Sequence, residues 1–157
     1  MNAKHVLVVL GSNLDLLGRR EPHVYGHTTL EEIRAEVVAR AESRGHRVTW
    51  MQSNHEGDLV DAIGQVMGDV HGILINPGAF THTSIAIRDA LLAASVPAVE
   101  VHLSNIFARE EFRRKSLISD VVTAVVSGLG APGMIVALDA LFDLLERRER
   151  DALHSED

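Results

Sequence analysis

Cysteine is absent from this chain, and lysine occurs only at Lys4 and Lys115. Without cysteine there can be no disulfide, no thiolate nucleophile and no thiolate metal site, which fits a reducing cytoplasm. Long apolar runs are also missing. The N-terminal run, residues 6–10, is too short to cross a membrane, and no signal-peptide core with a cleavage site follows it. Positive charge is in deficit: 15 Lys and Arg face 22 Asp and Glu, a net charge of −7. That balance argues against nucleic acid or an anionic membrane as the main partner. Aromatics make up only 4% of the chain, with a single tyrosine, Tyr25.

What is present describes a globular protein. The 157 residues are 46% hydrophobic and 24% charged, enough for one domain over residues 1–157 with a charged tail from about residue 146 that should fray. Residues 6–10 form a continuous apolar run ended by Gly11, the pattern of a buried parallel strand. Thr28 and Thr29 each stand three residues before a glutamate, as in a capping box, and open a helix closed by Gly45. Further strands are expected at residues 47–51, 72–75, 97–101 and 121–126. Helices are expected at 58–67, with Leu59, Ile63, Val66 and Met67 on one side, and at 84–94 and 134–148. Strands alternating with helices imply an α/β fold, a parallel sheet covered on both faces.

In such sheets ligands bind beyond the carboxyl ends of the strands, where the strand order reverses. Gly11-Ser12-Asn13, Asn76-Pro77-Gly78 and Glu100-Val101-His102-Leu103-Ser104-Asn105 fall at such exits. Glu100 and His102 lie on the same side of an extended strand. A carboxylate there would fix the imidazole tautomer for use as a general acid, although a purely structural histidine fits the same spacing. Tyr25 follows Arg19 and Arg20 in a surface loop. A phenol is a poor base at neutral pH, and making it a useful one takes about 4 kcal/mol of differential stabilisation. One arginine rarely supplies that, so a second cation is expected elsewhere. Arg109 and Arg113 would share a helical face as an anion clamp, or else form a solvated turn paired with Glu110 and Glu111.

Several chemistries find no support. Gly11-Ser12-Asn13 with Gly18 is not G-x-G-x-x-G, and no phosphate-loop lysine motif occurs, so no nucleotide or flavin cofactor is expected. His23 and His27 lie in a loop and make no metal site, and His5, His46, His71 and His154 look incidental. No Gly-x-Ser-x-Gly elbow exists. A metal-free acid/base reaction on a small anion fits best, with Tyr25 as base, His102 as acid, and Asn13 and Asn76 as positioning amides.

These segments, in this order, resemble the type II 3-dehydroquinate dehydratase family. The matching motifs include Leu10-Gly11-Ser12-Asn13-Leu14, Leu17-Gly18-Arg19-Arg20-Glu21-Pro22, Val24-Tyr25-Gly26, Gln52-Ser53-Asn54-His55-Glu56-Gly57, Asn76-Pro77-Gly78-Ala79-Phe80-Thr81-His82-Thr83-Ser84, Arg88-Asp89-Ala90-Leu91 and Glu100-Val101-His102-Leu103-Ser104-Asn105. The resemblance implies a flavodoxin-like fold with strand order 2-1-3-4-5, and anti elimination of water from 3-dehydroquinate through an enolate, in shikimate or quinate metabolism. It implies no cofactor, no metal and no imine. It assigns Tyr25 as base, Arg20 and Arg113 as the cations near it, Asn13 as holder of a water at the enolate, and His102 as acid oriented by Glu100. Asn76, His82 and the amides of Leu103 and Ser104 would bind substrate, with Asp89 reaching a neighbouring subunit of a homododecamer, a tetramer of trimers. The loop from Leu16 to His27 would act as a lid. The family's usual Gly-Pro-Asn is Gly-Ser-Asn here, Asp15 replaces an asparagine, and Phe80, Phe107, Lys115 and Leu117 also depart from common choices.

Overall fold

A computed structural model describes residues 2–66 and 68–155. Five parallel strands form one sheet: β1 (His5–Leu10), β2 (Arg47–Gln52), β3 (Gly72–Asn76), β4 (Ala98–His102) and β5 (Ala124–Ser127). Their spatial order is β2-β1-β3-β4-β5. Five helices connect and flank them: α1 (Pro22–Tyr25), α2 (Leu30–Ser43), α3 (Glu56–Gly64), α4 (Ile85–Ala94) and α5 (Pro132–His154).

The uninterrupted apolar run of β1 has its cause in this layering. All six of its residues are buried, because both faces of the strand are covered. Val6, Val8 and Leu10 enter the core shared with Ile33 and Val37 of α2 and Leu138, Leu141 and Phe142 of α5. Leu7 and Val9 alternate to the other side and join Leu59 and Ile63 of α3 and Ile87 and Leu91 of α4. β3 and β4 are likewise buried throughout, whereas the outer strands β2 and β5 are partly exposed. Because β1 pairs with β2 on one side and β3 on the other, the strand order reverses at β1 and leaves a crevice at its carboxyl end.

Local signals set most element ends. Thr29, not Thr28, caps α2: its hydroxyl accepts the Glu32 N–H while Glu32 reaches back to the Thr29 N–H. Gly45 follows with φ +72°, a left-handed step that glycine takes without a Cβ penalty. Several boundaries differ from expectation. The Tyr25 loop contains the short helix α1, with Pro22 at its first turn. Helix α3 ends at Gly64, so Val66 lies beyond it, and the placement expected for Met67 falls outside the described residues. Strand β5 starts three residues late, at Ala124.

The largest difference is α5, which continues to His154 instead of fraying from Glu146. Its charged residues are anchored to the rest of the fold. Glu146 accepts from His46 Nε2 at 2.8 Å and from Arg44 at 3.2 Å, and Glu149 takes Lys4 Nζ at 2.6 Å. Arg40 grips Asp139 through two nitrogens. His46 and His71 are not incidental either. Their Nδ1 atoms accept the backbone N–H groups of Lys4 and His5, so they satisfy donors at the start of β1. Among the described residues, no helix is long and apolar enough to cross a membrane.

The Glu146 carboxyl is held below the usual carboxylate range, first by the His46 hydrogen bond, with Arg44 adding to it against the cost of burial. A depressed carboxylate contributes stability above its unfolded pKa of about 4.3, and that contribution disappears as pH falls through the lower folded value. The melting-temperature gap between wild type and Glu146→Gln should therefore be widest near neutral pH and close below about pH 4, measured by calorimetry across that range. A gap that does not vary with pH would contradict this anchoring.

Candidate active site

The crevice is shaped by how closely two strand exits approach. A Cβ on Gly11 would lie 1.9 Å from the Pro77 carbonyl oxygen, and one on Gly78 (φ +62°) would lie 2.7 Å from the Ser12 carbonyl oxygen. Only glycine permits that packing. The Gly11 N–H donates to the Asn76 carbonyl at 2.8 Å and carries the β1–β3 ladder one step past the strands. Asn13 follows in a left-handed conformation (φ 65°), pinned by its N–H to Asn54 Oδ1 at 2.8 Å. Buried Asn76 uses its Oδ1 to accept the Gly78 N–H at 3.1 Å, which leaves its amide NH2 as a donor.

A cavity of about 160 Å³ opens above these turns. Asn13, Arg20, Tyr25, Asn76, His82, His102, Leu103, Ser104 and Arg113 all line it, so nine of the residues singled out from sequence converge there. Glu100 stands behind the lining, fully buried. Asp89 does not reach this cavity and is exposed on α4. The wall carries Arg20, Arg109 and Arg113 and no Asp or Glu, an arrangement suited to an anion in a chain that is itself negative.

The hydrogen-bonded partner of the phenol is Arg109, whose Nη1 donates to the Tyr25 hydroxyl oxygen at 2.7 Å. The same guanidinium lies 5.4 Å from the ring centroid. The family resemblance implies Arg20 and Arg113 as the cations near the phenol, with Arg109 only in the basic patch. In the structure Arg20 pairs with Glu21 at 3.1 Å and Arg113 with Glu110 at 3.2 Å, each while lining the cavity. The shared helical face expected for Arg109 and Arg113 is absent. Two separate 3-10 turns, Ile106–Ala108 and Glu111–Arg113, flank an extended Arg109 (φ −97°, ψ −167°). That break turns Arg109 toward Tyr25.

The two imidazoles are held differently. His102 Nε2 contacts Glu100 Oε1 at 2.5 Å, so the carboxylate fixes the ring and leaves Nδ1 for other use. His82 Nδ1–H donates to the Lys115 carbonyl at 2.7 Å, leaving Nε2 as an acceptor. Burial pushes the His82 pKa down, which keeps that ring neutral at pH 7. Glu100 also accepts from the Ser116 hydroxyl at 2.8 Å. Nothing in the sequence around Ser116 distinguishes it from any loop serine.

A phenol bonded to a guanidinium and an imidazole bonded to a buried carboxylate thus line one cavity, an arrangement with the groups that acid/base chemistry on an anion requires. Residues 4–142 match the model of the family described as "Dehydroquinase class II". The chain belongs to that family. Among curated relatives, the "Catabolic 3-dehydroquinase" of Aspergillus clavatus is 52% identical over 150 residues, covering 96% of this chain and 99% of the relative. The "3-dehydroquinate dehydratase" of Acaryochloris marina is 51% identical over 146 residues, covering 93% and 98%. The crystal structure of the type II dehydroquinase from Propionibacterium acnes superposes with a TM-score of 0.85 at 42% identity, covering 88% of this chain and 96% of that one. The chain thus shares its overall fold with that type II dehydroquinase.

The Gly11–Pro77 contact generates a prediction. Gly11→Ala should cost at least about 3 kcal/mol, because the new methyl meets rigid backbone and not a flexible side chain. Urea denaturation measures this, and a change under about 0.5 kcal/mol would mean the exits can part freely.

Proposed function

We propose that this protein is a 3-dehydroquinate dehydratase, removing water from 3-dehydroquinate to give 3-dehydroshikimate in the shikimate or quinate pathway. The observation that carries the mechanism is that the Arg109-bonded Tyr25 and the Glu100-bonded His102 line one arginine-walled cavity. Tyr25, as phenolate, takes the C2 proton. The electrons of that C–H bond move into the adjacent ketone and form an enolate. As the enolate collapses, the C1–O bond breaks, and the departing hydroxyl takes a proton from His102 to leave as water. The enzyme returns to its starting state when Tyr25 gives up its proton and His102 regains one.

Arg109 supports the base by donating to the oxygen on which negative charge must reside. Arg20 adds a second positive charge to the same wall, and Arg113 binds the substrate carboxylate or hydroxyls. Asn13 holds a water against the enolate oxygen. Asn76, His82 and the backbone amides of Leu103 and Ser104 position the ring substituents. Positioning of this kind and fixed dipoles at a developing oxyanion are where enzymes gain most of their rate. The segment from Leu16 to His27, which carries Arg20 and Tyr25 on and beside the short helix α1, closes over the substrate as a lid.

The chain acts as one catalytic domain without cofactor or metal, in the cytoplasm, assembled as a homododecamer of four trimers. The outward position of Asp89 on α4 supports the assembly: a group that cannot reach its own cavity is free to serve a neighbour's. Exposed Phe107, Phe112 and Leu129 offer apolar surface for such contacts.

Purified protein mixed with 3-dehydroquinate should develop the ultraviolet absorbance of a conjugated enone. A folded protein that produces none would refute this reading. Tyr25→Phe removes the only phenol in the chain and should lower kcat at least about 100-fold. Borohydride added with substrate should leave activity intact, since neither Lys4, tied to Glu149, nor Lys115 lines the cavity. Inactivation would instead indicate an imine.

A further inference from the structure

The segment Lys115-Ser116-Leu117 makes three successive attachments beneath the site. The Lys115 carbonyl accepts from His82 Nδ1, the Ser116 hydroxyl donates to Glu100 Oε1, and the Leu117 N–H donates to the Thr81 carbonyl at 2.9 Å. Arg88 holds the segment from α4, donating to the Leu117 carbonyl at 2.9 Å and pairing with Asp120. One short strap therefore touches the supports of both imidazoles.

Ser116 is the informative member. Its oxygen accepts the Ile118 N–H at 3.2 Å and the Ser119 N–H at 3.1 Å, so the local turn sets where that oxygen sits. With its acceptor sites turned to the backbone, its one hydroxyl proton is directed to Glu100 at 2.8 Å. Glu100 is fully buried, and its second oxygen, Oε2, has no hydrogen-bond partner. Both bonds to this carboxylate, from Ser116 and from His102, converge on Oε1. The terminal torsion of a glutamate is broad and roughly two-fold, so a single donor selects an orientation weakly. Two donors from different directions select it strongly.

We propose that Ser116 is a positioning residue for the acid: by donating to the Glu100 oxygen that His102 engages, it fixes the carboxylate and, through it, the imidazole. The inference rests on the dehydratase reading above. Ser116 touches no reacting atom. It acts at the step in which His102 delivers a proton, so its loss should appear in kcat and leave KM nearly unchanged.

The test compares wild type with Ser116→Ala and Ser116→Thr in the enone assay, together with nitrogen-15 NMR of the His102 ring. Wild type should turn over. Ser116→Ala should lose about 10-fold or more in kcat, the scale of one hydrogen bond to a charged group, with KM within about two-fold. Ser116→Thr, which keeps the hydroxyl, should recover most of the rate. The His102 ring resonances should move or broaden in Ser116→Ala and stay near their wild-type positions in Ser116→Thr. If Ser116→Ala fails to fold, Ser116→Cys keeps the side chain's size with a weak donor and should be slow for the same reason. A folded Ser116→Ala or Ser116→Cys with wild-type kcat would overturn the proposal. So would a kcat loss with unmoved His102 resonances, which would indicate a loop effect alone. Absence of turnover in folded wild type would overturn the dehydratase reading itself and this inference with it.

Discussion

Strand β1 must bury both of its faces, and most of the architecture follows from that constraint. Val6, Val8 and Leu10 need one apolar layer, and Leu7 and Val9 need another. Helices α2 and α5 supply the first, α3 and α4 the second. Covering a parallel sheet on both sides places β2 and β3 on opposite flanks of β1, because right-handed crossovers to opposite faces must turn in opposite directions. The divergence opens a crevice at the end of β1, and the glycines at Gly11 and Gly78 let the two turns beside it approach almost to contact. The cavity is thus a product of topology, and its chemistry comes from the loops placed around it.

That chemistry combines two kinds of electrostatic support. Tyr25, the proposed base, is paired across the lining with a cation from a distant segment, Arg109, 84 residues away in the chain. His102, the proposed acid, is supported from behind by a carboxylate removed entirely from solvent. Burying a carboxylate costs several kcal/mol unless hydrogen bonds compensate. Glu100 is compensated through one oxygen only, which leaves Oε2 as a buried unpaired acceptor.

The far end of the sheet lies away from the cavity, and its polar groups tie the elements there together. Lys4, His46, Arg44, Glu146 and Glu149 join the start of β1 to the last turns of α5. A 23-residue helix that would otherwise expose a loose charged end is thereby held along its length. The acid/base groups and the anchoring groups sit at opposite ends of the same strands.

Much of this was legible from local pattern. Continuous apolar runs marked the strands buried on both faces, and the Thr29–Glu32 spacing marked the start of α2. Strand ends are set by neighbours in sequence, which marked Asn13, Asn76 and His102 as exit residues; the strand order that brings those exits together was implied by the family resemblance. The Glu100–His102 pair was legible for the same reason, two residues apart on one strand face. What local pattern could not decide was long-range pairing. The extent of α5 depended on ion pairs about 100 or more residues apart in the chain, such as Glu146 with His46 and Glu149 with Lys4. Sequence spacing treated Arg109 and Arg113 as equivalent on an imagined helix. Only the break into two 3-10 turns aimed Arg109 at the phenol. Composition and periodicity determined the layers and the inventory of acids, bases and cations. The tertiary structure decided which cation meets which base, because a hydrogen bond of 2.7 Å depends on backbone turns that no propensity specifies.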